Sequence, residues 1–96
     1  MPKAYVIANV DVNDPEAYAE YAKRAPATIE QYGGRYLVRG GEQVTVEGDA
    51  PLPRSVVLEF ASLEQAKAWY HSPEYQAVIG IRHDNAESRM FLVEGV

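Results

Sequence analysis

The sequence predicts an α+β fold in which strands and helices follow one another in the order β, α, β, β, α, β. Four apolar segments have the composition of strands, amphipathic segments with helix-capping residues separate them, and glycine or proline clusters mark the boundaries. In a chain of 96 residues this order predicts one domain, 1–96, with one core. Such a split βαβ, or ferredoxin-like, fold has a four-stranded antiparallel sheet with helices on one face.

The first strand and the first helix open the chain. Residues 3–10 are rich in β-branched side chains and have apolar residues on both faces, which predicts a strand that is covered on both sides. A cap at Asn13 or Asp14, followed by Pro15 at the first helical position, is typical of a helix start. Apolar residues then recur at helical spacing: Tyr18, Tyr21, Ala22, Ala25, Ile29 and Tyr32. Pro26 predicts a kink or a break within this helix.

A second strand follows the first helix. The glycine pair at 33–34 predicts the end of the helix, since glycine accepts the left-handed conformation of a C-terminal cap. Residues 35–39 then have the composition of a strand. Because alternation resumes through Val44 and Val46, we expect a long second strand with a bulge at the glycine pair 40–41.

The third strand, the second helix and the fourth strand complete the order. Residues 54–61 are apolar on both faces, which predicts a central strand. Ser62 and Gln65 have the spacing of a capping box and open a helix. The Ser-Pro pair at 72–73 starts a second helical segment. Residues 88–94 supply the last strand.

Composition and charge exclude several classes of function. The net charge of −5 argues against nucleic acid or an anionic membrane as a partner. The sequence contains no cysteine, which excludes disulfides, thiol nucleophiles and thiolate metal sites. The apolar stretch near the N-terminus is too short for a signal-peptide core, so a cytoplasmic location is expected. His71 and His83 have no companions at metal-ligand spacing, and no metal or cofactor is predicted.

The predicted fold leaves one face of the sheet without helices. Because the first and third strands are apolar on both faces, this second face requires a partner surface. A second copy of the chain supplies one through two-fold symmetry, and we therefore expect a homodimer in which two sheets face each other.

Glu59 is the one charged residue in the apolar run 56–60, and strand alternation places it on the face opposite Leu58. A carboxylate in such surroundings requires a cation or a raised pKa. Arg39 and Arg82 are the expected partners, since both lie among apolar residues. The pair could be a structural ion pair. Alternatively, it could line a pocket that orients a ligand with a carbonyl or carboxylate group.

Aromatic residues are numerous around the second helix. Two sets of aromatic residues are either core residues or the walls of a cavity between helices and sheet: Trp69, Tyr70 and Tyr75, and the helical stripe Tyr18, Tyr21 and Tyr32. Asn9 is expected either to make a hydrogen bond at the end of a strand or to orient a bound carbonyl. The predicted ligand-binding set consists of Asn9, Arg39, Trp69, Tyr70, Tyr75 and Arg82, and Glu59 is the candidate catalytic residue.

The chain resembles the family called domain of unknown function 1330 over nearly its whole length. The segments that carry the resemblance are 33–41, 47–48, 58–60 with Ser62, and 68–75. The resemblance implies a ferredoxin-like fold in the dimeric α/β-barrel superfamily, with a pocket between sheet and helices, and no established activity. In the superfamily's haem-degrading monooxygenases, an Asn and a Trp occupy places similar to those of Asn9 and Trp69. His71 and His83 do not match the His of those enzymes, which argues against haem.

Three hypotheses about function follow from these residues. The first is a homodimeric pocket protein that binds a small organic metabolite with a carbonyl or carboxylate group. The second is a cofactor-free monooxygenase or isomerase in which Glu59 is the general base, which requires a raised pKa. The third is a structural or regulatory dimer without a ligand.

Overall fold

The computed structural model describes residues 2–96 and has a four-stranded antiparallel sheet with helices on one face. The elements in chain order are β1 (Ala4–Val12), α1 (Pro15–Gln31), β2 (Arg35–Arg39), β3 (Arg54–Phe60), α2 (Leu63–Tyr70), α3 (Pro73–Asn85) and β4 (Ala86–Glu94). Across the sheet the strand order is β2, β3, β1, β4. The predicted ferredoxin-like βαββαβ arrangement is confirmed, with the second helix divided into α2 and α3.

Each helix begins where the sequence predicts a cap. The side chain of Asp14 accepts a hydrogen bond from the backbone N–H of Ala17, and Pro15 occupies the first helical position of α1. Ser62 caps α2 and Ser72 caps α3 in the same way. The Ser72 cap explains why α2 and α3 are separate helices.

The C-terminus of α1 is closed by its glycine pair. Gly33 has a φ angle of +78° and donates to the carbonyl of Glu30, while Gly34 donates to the carbonyl of Ile29. These two bonds form a Schellman motif, which pairs carbonyls that the helix end would leave free. Before this end, α1 runs without a break through Pro26.

The two faces of the sheet differ in burial. On the helix face, Val6 and Val10 of β1 and Leu58 and Phe60 of β3 are buried. On the opposite face, which we call the open face, the side chains of β1 and β3 are only half-buried, and Phe91 and Val93 of β4 are exposed. The core therefore lies between the sheet and the helices. No helix in the described part of the chain is long and apolar enough to span a membrane.

The second strand is shorter than predicted. It ends at Arg39, and Val44 and Val46 lie outside any strand with exposed side chains. The bulge also differs in place: the register of β2 on β3 shifts between Tyr36 and Val38, not at the glycine pair 40–41. Alternation alone could not predict this, because the residues after Arg39 have no strand beside them to pair with.

Candidate functional site

A cavity lies between the helices and the sheet, with a volume of about 40 Å³. This is roughly three times the space that one water molecule requires, which is enough for the head group of a small acid. Apolar residues of the strands form its floor: Val6, Ala8, Val10, Val56 and Leu58. Its polar lining consists of Tyr18, Tyr21, Tyr36, Arg39, Arg54, Trp69 and Arg82. In the described chain, no Asp or Glu lines this cavity.

Arg82 is the most deeply buried of the three arginines. It shares the inner face of α3 with Tyr75, Val78 and Ile79, and only 3% of its surface is exposed. Its Nη1 donates to the hydroxyl of Ser88, but its buried Nε has no hydrogen-bond partner. Among residues 2–96, no carboxylate forms an ion pair with Arg82. A buried guanidinium thus faces the cavity without an anion.

Arg82 remains charged in this environment. Burial acts to lower its pKa, but the phenol oxygens of Tyr75 and Tyr21 outweigh this effect, so the pKa of Arg82 is raised. The guanidinium carbon lies 5.8 Å from the centre of the Tyr21 ring. An arginine that cannot lose its proton requires either water or an anion as a counterpart.

The two tyrosines beside Arg82 form a hydrogen-bonded pair. The hydroxyl oxygens of Tyr21 and Tyr75 are 2.6 Å apart. Burial raises the pKa of both phenols. Both therefore stay protonated at neutral pH. Since one hydrogen bond between them uses one proton, the second O–H is available to another acceptor.

Arg54 occupies the end of the cavity near β2. As the first residue of β3, it lies on the same face as Val56 and Leu58, and it too has a buried Nε without a partner. Its guanidinium passes close over Gly40: a Cβ atom added there would lie 2.5 Å from Nη1 of Arg54. Gly40 has a φ angle of +72°. Any other residue at position 40 would displace the Arg54 side chain.

Arg39 lies at the end of β2, beside α1. One of its terminal nitrogens donates to the backbone carbonyl of Ala22, at 3.1 Å. Its guanidinium carbon lies 4.6 Å from the centre of the Tyr36 ring, which is a cation–π contact. Arg39 is exposed on its outer side, so it reaches the cavity from the solvent edge.

Trp69 forms the aromatic wall of the cavity. The centre of its ring lies 4.1 Å from the ring centre of Tyr75 and 5.5 Å from that of Phe60. Its indole N–H donates to the hydroxyl of Thr28. Tyr70 packs against Trp69 and Tyr75, but it does not line the cavity. The aromatic group therefore serves both as core and as wall.

Glu59 does not meet the expected arginines. It lies on the open face, where its carboxylate accepts from Nε of Arg35 at 2.9 Å and lies 3.5 Å from Nζ of Lys3. These two cations hold the pKa of Glu59 below its ordinary value. Arg39 and Arg82, the partners expected from the sequence, line the cavity on the other side of the sheet. The sheet therefore separates Glu59 from the arginines.

Asn9 also lies on the open face and tethers a loop. Its amide nitrogen donates to the carbonyls of Leu52 and Arg54, both at 3.0 Å, and its amide oxygen accepts from the backbone N–H of Leu52. The bonds hold the connection between β2 and β3 against the sheet. This is the structural alternative that the sequence left open for Asn9.

The chain matches one known protein family. A family model described as "Domain of unknown function (DUF1330)" matches residues 3–96. The chain belongs to this family. A search of functionally curated proteins found no match to this DUF1330 chain.

Solved structures support the same fold. A protein of unknown function from Rhodopseudomonas palustris is 18% identical, with a TM-score of 0.76, and the alignment covers 99% of this chain and 83% of that one. SnoaB, a cofactor-independent oxygenase from Streptomyces nogalater, is 11% identical, with a TM-score of 0.62 and coverages of 97% and 92%. A dimeric ferredoxin-like protein of unknown function from Bacteroides fragilis is 16% identical, with a TM-score of 0.56 and coverages of 96% and 95%. At these identities the comparison shows the fold alone.

Sequence reasoning missed part of the cavity of this DUF1330 chain. Arg54 was not among the predicted site residues, although a signal was present: it is two residues before Val56 and four before Leu58, so strand alternation places it on their face. Tyr18 and Tyr21 were expected either in the core or on the wall of a cavity, but they were not included in the predicted ligand-binding set. Tyr36 was missed altogether. The histidines His71 and His83 are exposed, and within residues 2–96 no three potential metal ligands lie together.

Proposed function

We propose that this DUF1330 chain is a pocket protein that binds a small organic carboxylate in the cavity between its helices and its sheet. The observation that supports this most directly is Arg82, a buried guanidinium on the cavity wall with a free Nε and no carboxylate partner in the described chain. A buried charge without a counter-charge is unfavourable, and a bound anion removes this penalty.

The remaining lining supports an anionic ligand rather than a cation. Arg54 and Arg39 add two positive charges, and Tyr21 adds a hydroxyl that stays protonated. A carboxylate accepts up to four hydrogen bonds and can bind a guanidinium in a bidentate manner. A cationic or donor-rich ligand would find no negative group among the described lining residues. The protein as a whole is acidic, so this positive site is local.

The binding test uses matched acids and amides. In calorimetric or NMR titrations, we expect acetate, pyruvate or benzoate to bind, and acetamide or benzamide not to bind. Arg82→Met should weaken carboxylate binding by roughly 100-fold or more, because losing one partner of a buried charge pair costs about 3–5 kcal/mol. Arg24→Met, at an exposed position of α1, is the control and should bind normally. Equal binding of acids and amides, or an unchanged affinity in Arg82→Met, would contradict the proposal.

A homodimer is part of the same proposal. The open face has apolar residues on three adjacent strands, with Phe91 paired to Ile7 and Ile7 paired to Val57. The similar protein from Bacteroides fragilis is described as dimeric. Two open faces packed together would remove these side chains from water.

Catalysis by Glu59 stays a prediction with less support. A general base near neutral pH requires a raised pKa, whereas Arg35 and Lys3 lower the pKa of Glu59. Glu59 also lies across the sheet from the cavity. A structural dimer without a ligand is the remaining alternative, and it is the outcome that the titrations would show if no carboxylate binds.

A further inference from the structure

Pro26 lies in the interior of α1, a position that proline rarely occupies in a helix. In a regular α-helix the backbone N–H of residue 26 would donate to the carbonyl of Ala22, four residues earlier. Proline has no N–H, so this hydrogen bond cannot form. The proline ring also crowds the same carbonyl and pushes it away from the helix axis.

The carbonyl that Pro26 leaves free is the one that Arg39 uses. Nη2 of Arg39 donates to the oxygen of Ala22 at 3.1 Å. This is the hydrogen bond that the structure gives to the Arg39 side chain, and the ring of Tyr36 supports the other side of the guanidinium. The proline on α1 and the arginine on β2 are therefore linked through one acceptor.

Arg39 occupies a boundary between two spaces. Besides the inner cavity, a groove of about 260 Å³ runs along the outside, between α1 and β2. Pro26 lines this outer groove, and three residues line both the groove and the inner cavity: Ile29, Tyr36 and Arg39. The side chain of Arg39 thus lies between the groove and the cavity. A ligand that enters from the groove would have to pass this side chain to reach the cavity.

We propose that Pro26 is a positioning residue: it frees the Ala22 carbonyl so that this carbonyl holds the guanidinium of Arg39 at the entrance of the anion-binding cavity. The effect on ligand binding rests on the function proposed above, whereas the effect on Arg39 does not. Pro26 acts only through Ala22 and Arg39 and does not itself contact the ligand.

The test compares Pro26→Ala with Pro15→Ala. Alanine at position 26 restores the N–H that bonds to Ala22, and removing an interior proline favours the helix, so this variant should fold and melt at a higher temperature. Pro15 occupies the first position of α1, where no earlier helical carbonyl is affected. The control variant should therefore leave Arg39 as it is.

Two measurements decide the outcome. In ligand-free protein, we expect the assigned Nε–Hε NMR signal of Arg39 to shift and to exchange faster with water in Pro26→Ala, but not in Pro15→Ala. In benzoate titrations, Pro26→Ala should bind about fivefold more weakly, as expected when one charge-assisted contact is no longer held in place. In an Arg39→Gln background, Pro26→Ala should cause no further loss.

An Arg39 signal that is the same in Pro26→Ala and in the wild type would overturn the proposal, whether or not a ligand binds. A shifted signal with unchanged benzoate affinity would overturn the link to binding. If wild-type protein binds no carboxylate at all, the proposed function fails, and the Arg39 signal still decides whether Pro26 positions that side chain.

Discussion

In the proposed function, Arg82 serves ligand binding rather than the stability of the fold. Burying this cation carries a desolvation cost, and the hydroxyl of Ser88 and the two phenols offset that cost without supplying a counter-charge. The same guanidinium becomes favourable when an anion enters the cavity. A residue of this kind is expected at a ligand site, where local stability is given up for interaction with the ligand.

This interpretation predicts the sign of a stability change. Arg82→Met replaces the guanidinium by an apolar chain of similar length, and exchanging buried ions for apolar groups is often neutral or stabilising by about 1–4 kcal/mol. We expect the free energy of unfolding of the ligand-free protein, measured in urea, to stay equal or to increase. A decrease of more than about 1 kcal/mol, with the fold intact by circular dichroism, would mean that the protein itself compensates the charge.

Glu59 supports a different prediction, because its carboxylate is paired with Arg35 and Lys3 on the open face. Glu59→Gln should leave benzoate affinity unchanged, since the sheet lies between this residue and the cavity. Loss of benzoate binding in Glu59→Gln would show that Glu59 contributes to the ligand site.

The lowered pKa of Glu59 in the wild type predicts how the stability difference between wild type and Glu59→Gln depends on pH. A carboxylate whose pKa is depressed by folding stabilises the protein above its ordinary pKa, and this contribution disappears as the pH falls through the lowered value. The variant should therefore be less stable than wild type at neutral pH, and the difference should vanish in acid. High salt should also reduce the difference, because Lys3 and Arg35 are exposed partners. Urea unfolding at several pH values and salt concentrations measures both effects.

At the level of the elements, local sequence signals were sufficient where the structure depends on neighbours in the chain. The caps at Asp14, Ser62 and Ser72 and the Schellman end of α1 need only a few adjacent residues, and they lie where the sequence predicts them. The end of β2 at Arg39 was not predicted, since it depends on how far the chain can pair with β3. The alternation at Val44 and Val46 does not show whether a neighbouring strand is present to pair with these residues.

The partner of Glu59 could not be predicted for a related reason. Alternation along β3 correctly placed Glu59 on the face opposite Leu58, but the register of β2 decides which cation lies beside it. The structure pairs Arg35 with Glu59 and Arg39 with Val56. This pairing places one arginine on each face of the sheet. Register across strands, unlike periodicity within one strand, is set by the whole fold.

The same distinction applies to the candidate site. Arg39, Trp69 and Arg82 were predicted as ligand-binding residues, and all three line one cavity. Tyr75, also predicted, does not line the cavity, but its hydroxyl is hydrogen-bonded to that of Tyr21, which does. Asn9 and Glu59 were also predicted as site residues, yet they lie on the open face. That face matters for the molecule as a whole, because it is the surface on which we expect a second copy to pack.

The whole molecule has two apolar surfaces and helices for only one of them. The helices cover one face of the sheet, whereas on the other Phe91 is 57% exposed and Val93 is 44% exposed. Tyr5 and Ile7, on the central strand β1, lie beside these two residues. Large aromatic and aliphatic side chains on a contiguous face are typical of a protein–protein interface rather than of a surface in water.

We therefore predict that the protein is a dimer at micromolar concentrations in sedimentation velocity experiments. Phe91→Glu should yield a monomer, because it places a carboxylate on the apolar face, where it would have to be desolvated. Ala77→Glu adds the same charge at an exposed position of α3, on the helical side, and should remain dimeric. A monomeric wild type, or a Phe91→Glu variant that stays dimeric, would show that the open face is not the interface. If Phe91→Glu is a folded monomer that still binds benzoate, the cavity is complete within one subunit.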